Sequence, residues 1–288
     1  MIQEITGHTG LCGLLGSPVA HSISPMMHNE AFRQLGLDYV YLCFDVGTDQ
    51  LKTALDGLKT IGFRGLNVTM PDKNLAAQLM DKLTPAAKLT GAVNTIINDD
   101  GILTGHTTDG VGYMRAALDA GFDLTGKSMT LLGAGGAATS VLVQAALDGL
   151  KEITVFNIKD QFWDRSEALI ERVNAETNCK VRLVDLADQD ALAESIQKSH
   201  ILTNATSVGM APNTDRCIIK DDAVFRPELI VSDVIYNPRE TLLLKKAKAC
   251  GCPTFNGMYM LLYQGAESFK LWTGQEMPVD IIKAKYFA

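Results

Sequence analysis

The sequence predicts an α/β protein of two domains, with parallel sheet in both halves. Three observations carry this. Apolar runs of strand length alternate with segments of helix length along most of the chain. The stretch 128–160 reads strand, glycine turn, helix, strand, the order of a right-handed βαβ crossover. The length, 288 residues, fits about two domains.

Taken in order, the first strand is Gly10–Gly16, ending in Gly-Ser-Pro. Ser24 followed by Pro25 reads as N-cap and first helical residue of a helix reaching Gly36. Residues 39–46 are aromatic and β-branched, a strand, and 50–61 have helical spacing at Leu51, Leu55 and Leu58. A strand at 64–70 stops at Pro71, and Asp72 and Lys73 lead into a helix ending near Met80. Strands at 92–98 and 102–105 flank an Asp99-Asp100-Gly101 turn, and a helix runs from Asp109 to Ala120. Past the crossover come a helix at 167–177, a strand at 181–184, a helix at 189–196 and a strand at 200–204. An irregular loop through 212–227 precedes a strand at 229–235, a helix after Pro238 and a short strand at 253–255. Helices at 258–272 and from Pro278 close the chain.

Composition narrows the class of function. The chain is 47% hydrophobic and 20% charged, enough for a sizeable core. A net charge of −7 argues against a general affinity for nucleic acid or an anionic membrane, so an acidic ligand must be held by local donors. No apolar run reaches membrane-spanning length and residues 1–10 lack signal-peptide character. Six scattered cysteines without a C-x-x-C pair read as reduced thiols of a cytoplasmic protein. The five histidines show no metal-binding spacing, so no metal is expected, and His200 at the head of a strand reads as structural.

The glycine turn carries the most chemistry. Gly133 permits a tight turn, Gly135 permits backbone approach to a pyrophosphate, and Ala138 keeps the helix close to its strand. The amides at the helix start then face a doubly charged ligand. After the second strand comes Asn157-Ile158-Lys159-Asp160. A carboxylate there accepts hydrogen bonds from the ribose 2′-OH of NAD and repels the 2′-phosphate of NADP. NAD is therefore the expected dinucleotide, with NADP admitted. Asp160 also reads as an N-cap for a segment beginning at Gln161.

Ligands of open α/β sheets sit beyond the carboxyl ends of strands, and Ser22, Ser24, Thr69, Lys73, Asn94 and Asp109 fall there in the first half. Two hydroxyls at a helix start can hold a carboxylate. Thr69 and Lys73, four apart across Pro71, can face one cleft. Each has a plainer reading: Ser24 and Asp109 as N-caps, Lys73 as a solvated lysine. Together they suit a polyhydroxylated carboxylic acid, with Lys73 and Asp109 exchanging the proton of a reacting alcohol. Y-x-x-x-K, H-E-x-x-H and G-x-S-x-G are missing, which disfavours short-chain reductase, zinc-protease and esterase chemistry.

An ordered set of motifs is more specific than any of these. It comprises His21-Ser22-Ile23-Ser24-Pro25, Asn67-Val68-Thr69-Met70-Pro71-Asp72-Lys73, Gly91-Ala92-Val93-Asn94-Thr95 and Thr108-Asp109-Gly110. Gly133-Ala134-Gly135-Gly136-Ala137, Asn204-Ala205-Thr206 and Gln264-Gly265-Ala266 continue it. Over nearly its whole length the chain resembles the shikimate dehydrogenase family. The 157–160 loop and the 83–88 segment look most like its quinate/shikimate dehydrogenase branch.

The resemblance implies an N-terminal α/β substrate domain with a mainly parallel sheet (1–110) and a Rossmann NAD(P)-binding domain (111–257) around a cleft. Residues 258–288 would pack back on the first. It implies a cytoplasmic enzyme of aromatic amino acid biosynthesis that interconverts shikimate and 3-dehydroshikimate, with quinate as a further substrate and a homodimer admitted. By matching motif, Ser22 and Ser24 would hold the carboxylate, and Thr69, Asn94 and Gln264 the ring hydroxyls. Lys73 and Asp109 would be the catalytic pair. Ala134, Gly135, Gly136 and Ala137 would wrap the pyrophosphate, and Asn157, Ile158, Lys159 and Asp160 the adenosine ribose. Ser207, Val234, Ile235, Tyr236, Asn237 and Gly257 would line the nicotinamide half.

Three departures from the family pattern stand out. Thr107 replaces an asparagine two positions before the acid, Ile158 stands where NADP-specific members usually carry arginine, and Asp72 directly precedes Lys73. The within-class alternative is an NADP-dependent biosynthetic shikimate dehydrogenase. The different-class alternative is a non-catalytic dinucleotide-binding sensor, against which the intact Lys73/Asp109 pair weighs.

Overall fold

The computed structural model describes residues 4–287. The chain forms two compact units: one holds the chain up to Thr108 and again from Leu262, the other Asp109–Leu261. No helix among the described residues is long and apolar enough to cross a membrane.

The first unit contains β1 (Gly10–Gly16), α1 (Ser24–Leu35), β2 (Tyr39–Asp45), α2 (Leu51–Thr60), β3 (Gly65–Val68) and α3 (Lys73–Gln78). It continues through β4 (Lys82–Leu83), α4 (Pro85–Thr90), β5 (Thr95–Asp99) and β6 (Ile102–His106). The strands lie in the order β2-β1-β3-β5-β6-β4. β1 runs parallel to β2 and β3, and β4 to β6, while β5 is antiparallel to both its neighbours. The reversal into β6 turns on Asp100 and Gly101, both at positive φ (51° and 89°), so the predicted turn is a tight hairpin.

Two local expectations are corrected. Ser24 is not the N-cap of α1: Ile23 occupies that position in helical conformation with no side-chain cap, and Ser24 is already helical. The short helix α4 went unpredicted. Six residues offer too little apolar periodicity, although Thr84 caps it by accepting from the Ala87 amide and Pro85 follows.

The second unit contains α5 (Asp109–Asp119), β7 (Ser128–Leu132), α6 (Gly136–Leu147), β8 (Glu152–Asn157), α7 (Trp163–Glu176), β9 (Lys180–Asp185) and α8 (Gln189–Lys198). After β10 (Ile201–Asn204) and a 3-10 turn at Asp222–Val224 come β11 (Ile230–Asp233), α9 (Leu242–Ala249) and β12 (Thr254–Phe255). Its sheet is parallel throughout, in the order β12-β11-β10-β7-β8-β9. This is the doubly wound Rossmann order, with the reversal of winding between β7 and β10. Burial on both faces explains the near-continuous apolar strands: residues 129–132 and 153–156 are all buried.

Helix α10 (Met258–Thr273) leads back into the first unit, followed by α11 (Val279–Tyr286). Trp272 locks α10 onto the first sheet. Its side chain is 1% exposed, its indole N–H donates to the Ile96 carbonyl at 3.0 Å, and Arg64 donates to its own carbonyl at 2.7 Å. The ring lies where a side chain on β3 would point, and only Gly65 leaves room for it. Lys285 of α11 pairs with the nearly buried Glu30 of α1 at 2.9 Å. The closing helices therefore pack on the first unit.

Candidate active site

In the first unit the candidate residues gather at the carboxyl ends of β1 and β3, at the amino end of the antiparallel β5 and on α10. Ser22 and Ser24 face each other at the start of α1, the Ser22 hydroxyl accepting from the Ser24 amide at 3.2 Å. Ser22 is therefore the residue that fastens the turn, although sequence favoured Ser24. Thr69 follows β3, its amide donating to the Leu15 carbonyl at 3.0 Å. Lys73 opens α3 half-buried, and its carbonyl accepts from the Val93 amide at 2.9 Å. That bond ties the lysine's backbone to the residue beside Asn94.

Asn94 is the centre of a buried polar knot. It is 3% exposed, and its amide nitrogen donates to the Thr108 hydroxyl at 3.0 Å and to Gln264 Oε1 at 3.3 Å. Its Oδ1 accepts from the Thr108 amide at 2.7 Å. Asn94 and Gln264, 170 positions apart, thus meet directly. Thr108, held by main chain and hydroxyl, immediately precedes Asp109, the first residue of the second unit.

Sequence reading assigned no role to Tyr41, Asn67, Thr95, Thr108 and Ser268, which complete the knot. The Asn67 amide nitrogen donates to the Asn94 carbonyl, the Thr95 hydroxyl and the Ser268 hydroxyl, each at 3.1 Å. Its Oδ1 accepts from the Tyr41 hydroxyl at 2.8 Å. Asn67, Thr95 and Thr108 lie within the ordered motifs, and Ser268 stands four residues after Gln264 and so on the same face of a helix. Asp72, beside Lys73, is 1% exposed, and neither carboxylate oxygen has a hydrogen-bond partner among the described residues.

In the second unit the glycine turn sits where β7 ends, beside the reversal of winding. Gly133 has φ +102°, and an added Cβ would lie 2.8 Å from the Thr206 methyl, so both the turn and the close approach require glycine. At Gly135 and Gly136 an added Cβ meets nothing within 4 Å, so the space before the turn is open. Helix α6 starts at Gly136 with no side-chain cap, leaving its first amides for an anion. These features fit the diphosphate of a dinucleotide.

The 157–160 loop follows β8, the next strand in the sheet. Ile158, Lys159 and Asp160 are exposed and Asn157 half-buried. Asp160 Oδ1 accepts from the Phe162 amide at 2.9 Å and its carbonyl accepts from the Trp163 amide at 3.1 Å. It braces the turn before α7, which begins at Trp163 rather than Gln161. Lys159 places its ammonium 5.4 Å from the Trp163 ring centroid.

Ser207 follows β10 and Val234, Ile235, Tyr236 and Asn237 follow β11. One buried carboxylate, Asp233, joins these loops. It accepts from the Ile235 amide at 3.0 Å, the Thr241 hydroxyl at 2.8 Å and Asn204 at 3.1 Å. Asn204 in turn accepts from the Thr206 hydroxyl at 2.7 Å. Burial pushes the Asp233 carboxyl up to about 6 against the pull of those donors. Gly257 donates its amide to the Ile235 carbonyl at 3.1 Å, and a Cβ there would strike the Val234 carbonyl.

No group of three or more His, Cys, Asp or Glu residues among the described residues could hold a metal ion. The buried Tyr113 hydroxyl bonds Thr203 at 2.6 Å and Ser232 at 2.8 Å, a structural knot within the second unit.

Known proteins match this arrangement closely. Residues 14–96 match the model of the shikimate dehydrogenase substrate binding domain, and 257–285 that of the shikimate 5'-dehydrogenase C-terminal domain. A curated relative from Listeria innocua, named shikimate dehydrogenase (NADP(+)), is 54% identical over 285 residues, covering 99% of this chain and 98% of its own. The crystal structure of shikimate 5-dehydrogenase from Listeria monocytogenes in complex with shikimate and NAD superposes with a TM-score of 0.96 at 54% identity, covering 99% of this chain and 98% of the other. Quinate dehydrogenase from Corynebacterium glutamicum in complex with NAD gives a TM-score of 0.85 at 30% identity, with 97% and 99% covered. Similarity of this extent, in sequence and in fold together, means that the chain belongs to the shikimate dehydrogenase family.

Proposed function

We propose that this protein is a shikimate dehydrogenase, interconverting shikimate and 3-dehydroshikimate with a nicotinamide dinucleotide. The observation that carries the reading is the buried Asn94 amide clasped between Thr108 and Gln264, beside the segment that pins Lys73. The names and contents of the Listeria relatives support it. In this reading the first unit is the substrate domain and the second the dinucleotide domain. The six free thiols suit a reducing compartment, the cytoplasm.

Ser22 and Ser24 hold the substrate carboxylate, and Thr69, Asn94 and Gln264 receive ring hydroxyls. A fixed amide in a buried setting orients a hydroxyl without the reorganisation that water would require. Lys73 and Asp109 handle the proton. In oxidation the neutral amine or the carboxylate takes the proton of the reacting hydroxyl; in reduction the Lys73 ammonium returns it. Ala134, Gly135, Gly136 and Ala137 hold the diphosphate, and the loops after β10 and β11 line the nicotinamide. When bound, the dinucleotide supplies the hydride acceptor.

Between the two dinucleotides, the relatives' name favours NADP over the NAD preference expected from sequence. NAD stands as the second reading on a specific observation: the exposed 157–160 loop presents the Asp160 carboxylate, and Ile158 stands in place of an arginine. Use of quinate is a further proposal, supported by the Corynebacterium relative. Initial rates with shikimate and quinate, each with NAD and NADP, test all of this. Shikimate oxidation with either dinucleotide is expected; no turnover in any of the four combinations refutes the enzyme and leaves the sensor. A higher kcat/KM with NAD than with NADP returns the choice to the loop.

A further inference from the structure

One side chain braces the candidate substrate site from outside its assigned residues. Tyr41 lies on β2, fully buried at 0% exposure. Its hydroxyl donates to Asn67 Oδ1 at 2.8 Å, with the Ser24 side chain nearby. On one side is the serine pair assigned to the carboxylate. On the other, Asn67 grips the Asn94 carbonyl, Thr95 and Ser268. The phenol thereby holds Asn67, which grips the backbone of the residue whose amide receives ring hydroxyls.

Two neighbours fix the phenol itself. Asn29 accepts from the Tyr41 amide at 2.8 Å and donates to its carbonyl at 2.9 Å, so the backbone cannot slide along the sheet edge. His28 stacks on the ring, centroids 4.5 Å apart and planes 12° from parallel. His28 is fully buried and neither ring nitrogen has a hydrogen-bond partner among the described residues. Burial holds it neutral, with its pKa down at about 3. An imidazole with no polar partner contributes its flat face, set among Tyr41, Phe269 and Trp272. Gly265, next to Gln264, approaches the same imidazole: an added Cβ would lie 3.6 Å from Nε2. The His28-Asn29 pair therefore clamps Tyr41 in plane and in register.

We infer that Tyr41 is a positioning residue for substrate binding: its hydroxyl holds Asn67, and through Asn67 it aims Asn94. This rests on the proposed shikimate dehydrogenase function. Removing the hydroxyl leaves the buried Asn67 Oδ1 without its donor and frees the amide to turn. Neither consequence touches the proton-transfer groups or the dinucleotide side.

The test is steady-state kinetics of Tyr41→Phe beside wild type, varying shikimate and dinucleotide separately. The expected result is a KM for shikimate raised about 3- to 15-fold, the worth of one hydrogen bond. The KM for dinucleotide and the kcat should stay within about twofold. Tyr41→Phe and Ser268→Ala should be less than additive in their effect on the shikimate KM, because both loosen Asn67. If Tyr41→Phe does not fold, Ser268→Ala loosens Asn67 from its other side and is expected to give the same selective rise. An unchanged shikimate KM in the folded variant overturns the inference, as does a fall in kcat with both KM values rising together. Wild-type protein inert towards shikimate refutes the proposed function, and the inference with it; active wild type with an unaltered variant refutes the inference alone.

Discussion

Asp233→Asn isolates what one buried carboxylate does to stability. Asp233 is 1% exposed, and burial raises its pKa from 3.8 to about 6 despite donors from Ile235, Thr241 and Asn204. In the unfolded chain the group ionises near 3.8, so between the two values the unfolded state loses its proton first. The stabilisation associated with the neutral acid is fully present below the lower value and is lost as pH rises through about 6. Linkage makes the resulting penalty grow with pH, from under about 1 kcal/mol at pH 4 to about 3 kcal/mol at pH 8. Asparagine mimics the protonated acid: its oxygen can accept from Ile235 and Asn204, and the Thr241 hydroxyl can reverse and accept. Asp233→Asn should therefore stabilise the second unit, by about 1 kcal/mol more at pH 8 than at pH 5. Urea midpoints of both proteins at the two pH values measure this. A stability difference independent of pH, or one larger at pH 5, refutes the reasoning.

Three further outcomes are expected. Lys73→Ala should lower kcat by about 10²- to 10⁴-fold while dinucleotide binding, followed by titration, persists; a near-normal kcat removes the lysine from the mechanism. Asp160→Ser keeps a short acceptor for the Phe162 amide but removes the charge, so the ratio of kcat/KM for NADP over NAD should rise about fivefold, the worth of one repulsive contact in water; an unchanged ratio shows that Asp160 only braces the turn. Gly65→Ala drives a methyl into the buried Trp272 indole, which cannot move without breaking its bond to Ile96, and should cost about 1–3 kcal/mol in thermal or urea unfolding.

The parts legible in the sequence were those with a local physical cause. The strand, glycine turn and helix from Ser128 onward could be read because only glycine reaches φ +102° at Gly133, and because a parallel strand buried on both faces is apolar throughout. Boundaries were less legible. The predicted cap at Ser24 failed because Ile23 takes the helical conformation instead, and the turn is closed by Ser22. Helix α4, at six residues, was too short for its periodicity to register.

By itself the chain determined an α/β architecture in two parts, a glycine turn suited to a diphosphate, and the ordered motifs that carry the family. These are properties of neighbouring residues: backbone freedom, periodicity, short spacings. Only the tertiary structure decided which polar groups share a buried space. Asn67 meets Ser268 across 201 positions, Asn94 meets Gln264 across 170, and Tyr41 reaches Asn67 from the edge of the first sheet. Such partnerships arise when strand order and helix return bring distant side chains together, and the need to satisfy every buried donor and acceptor then selects them.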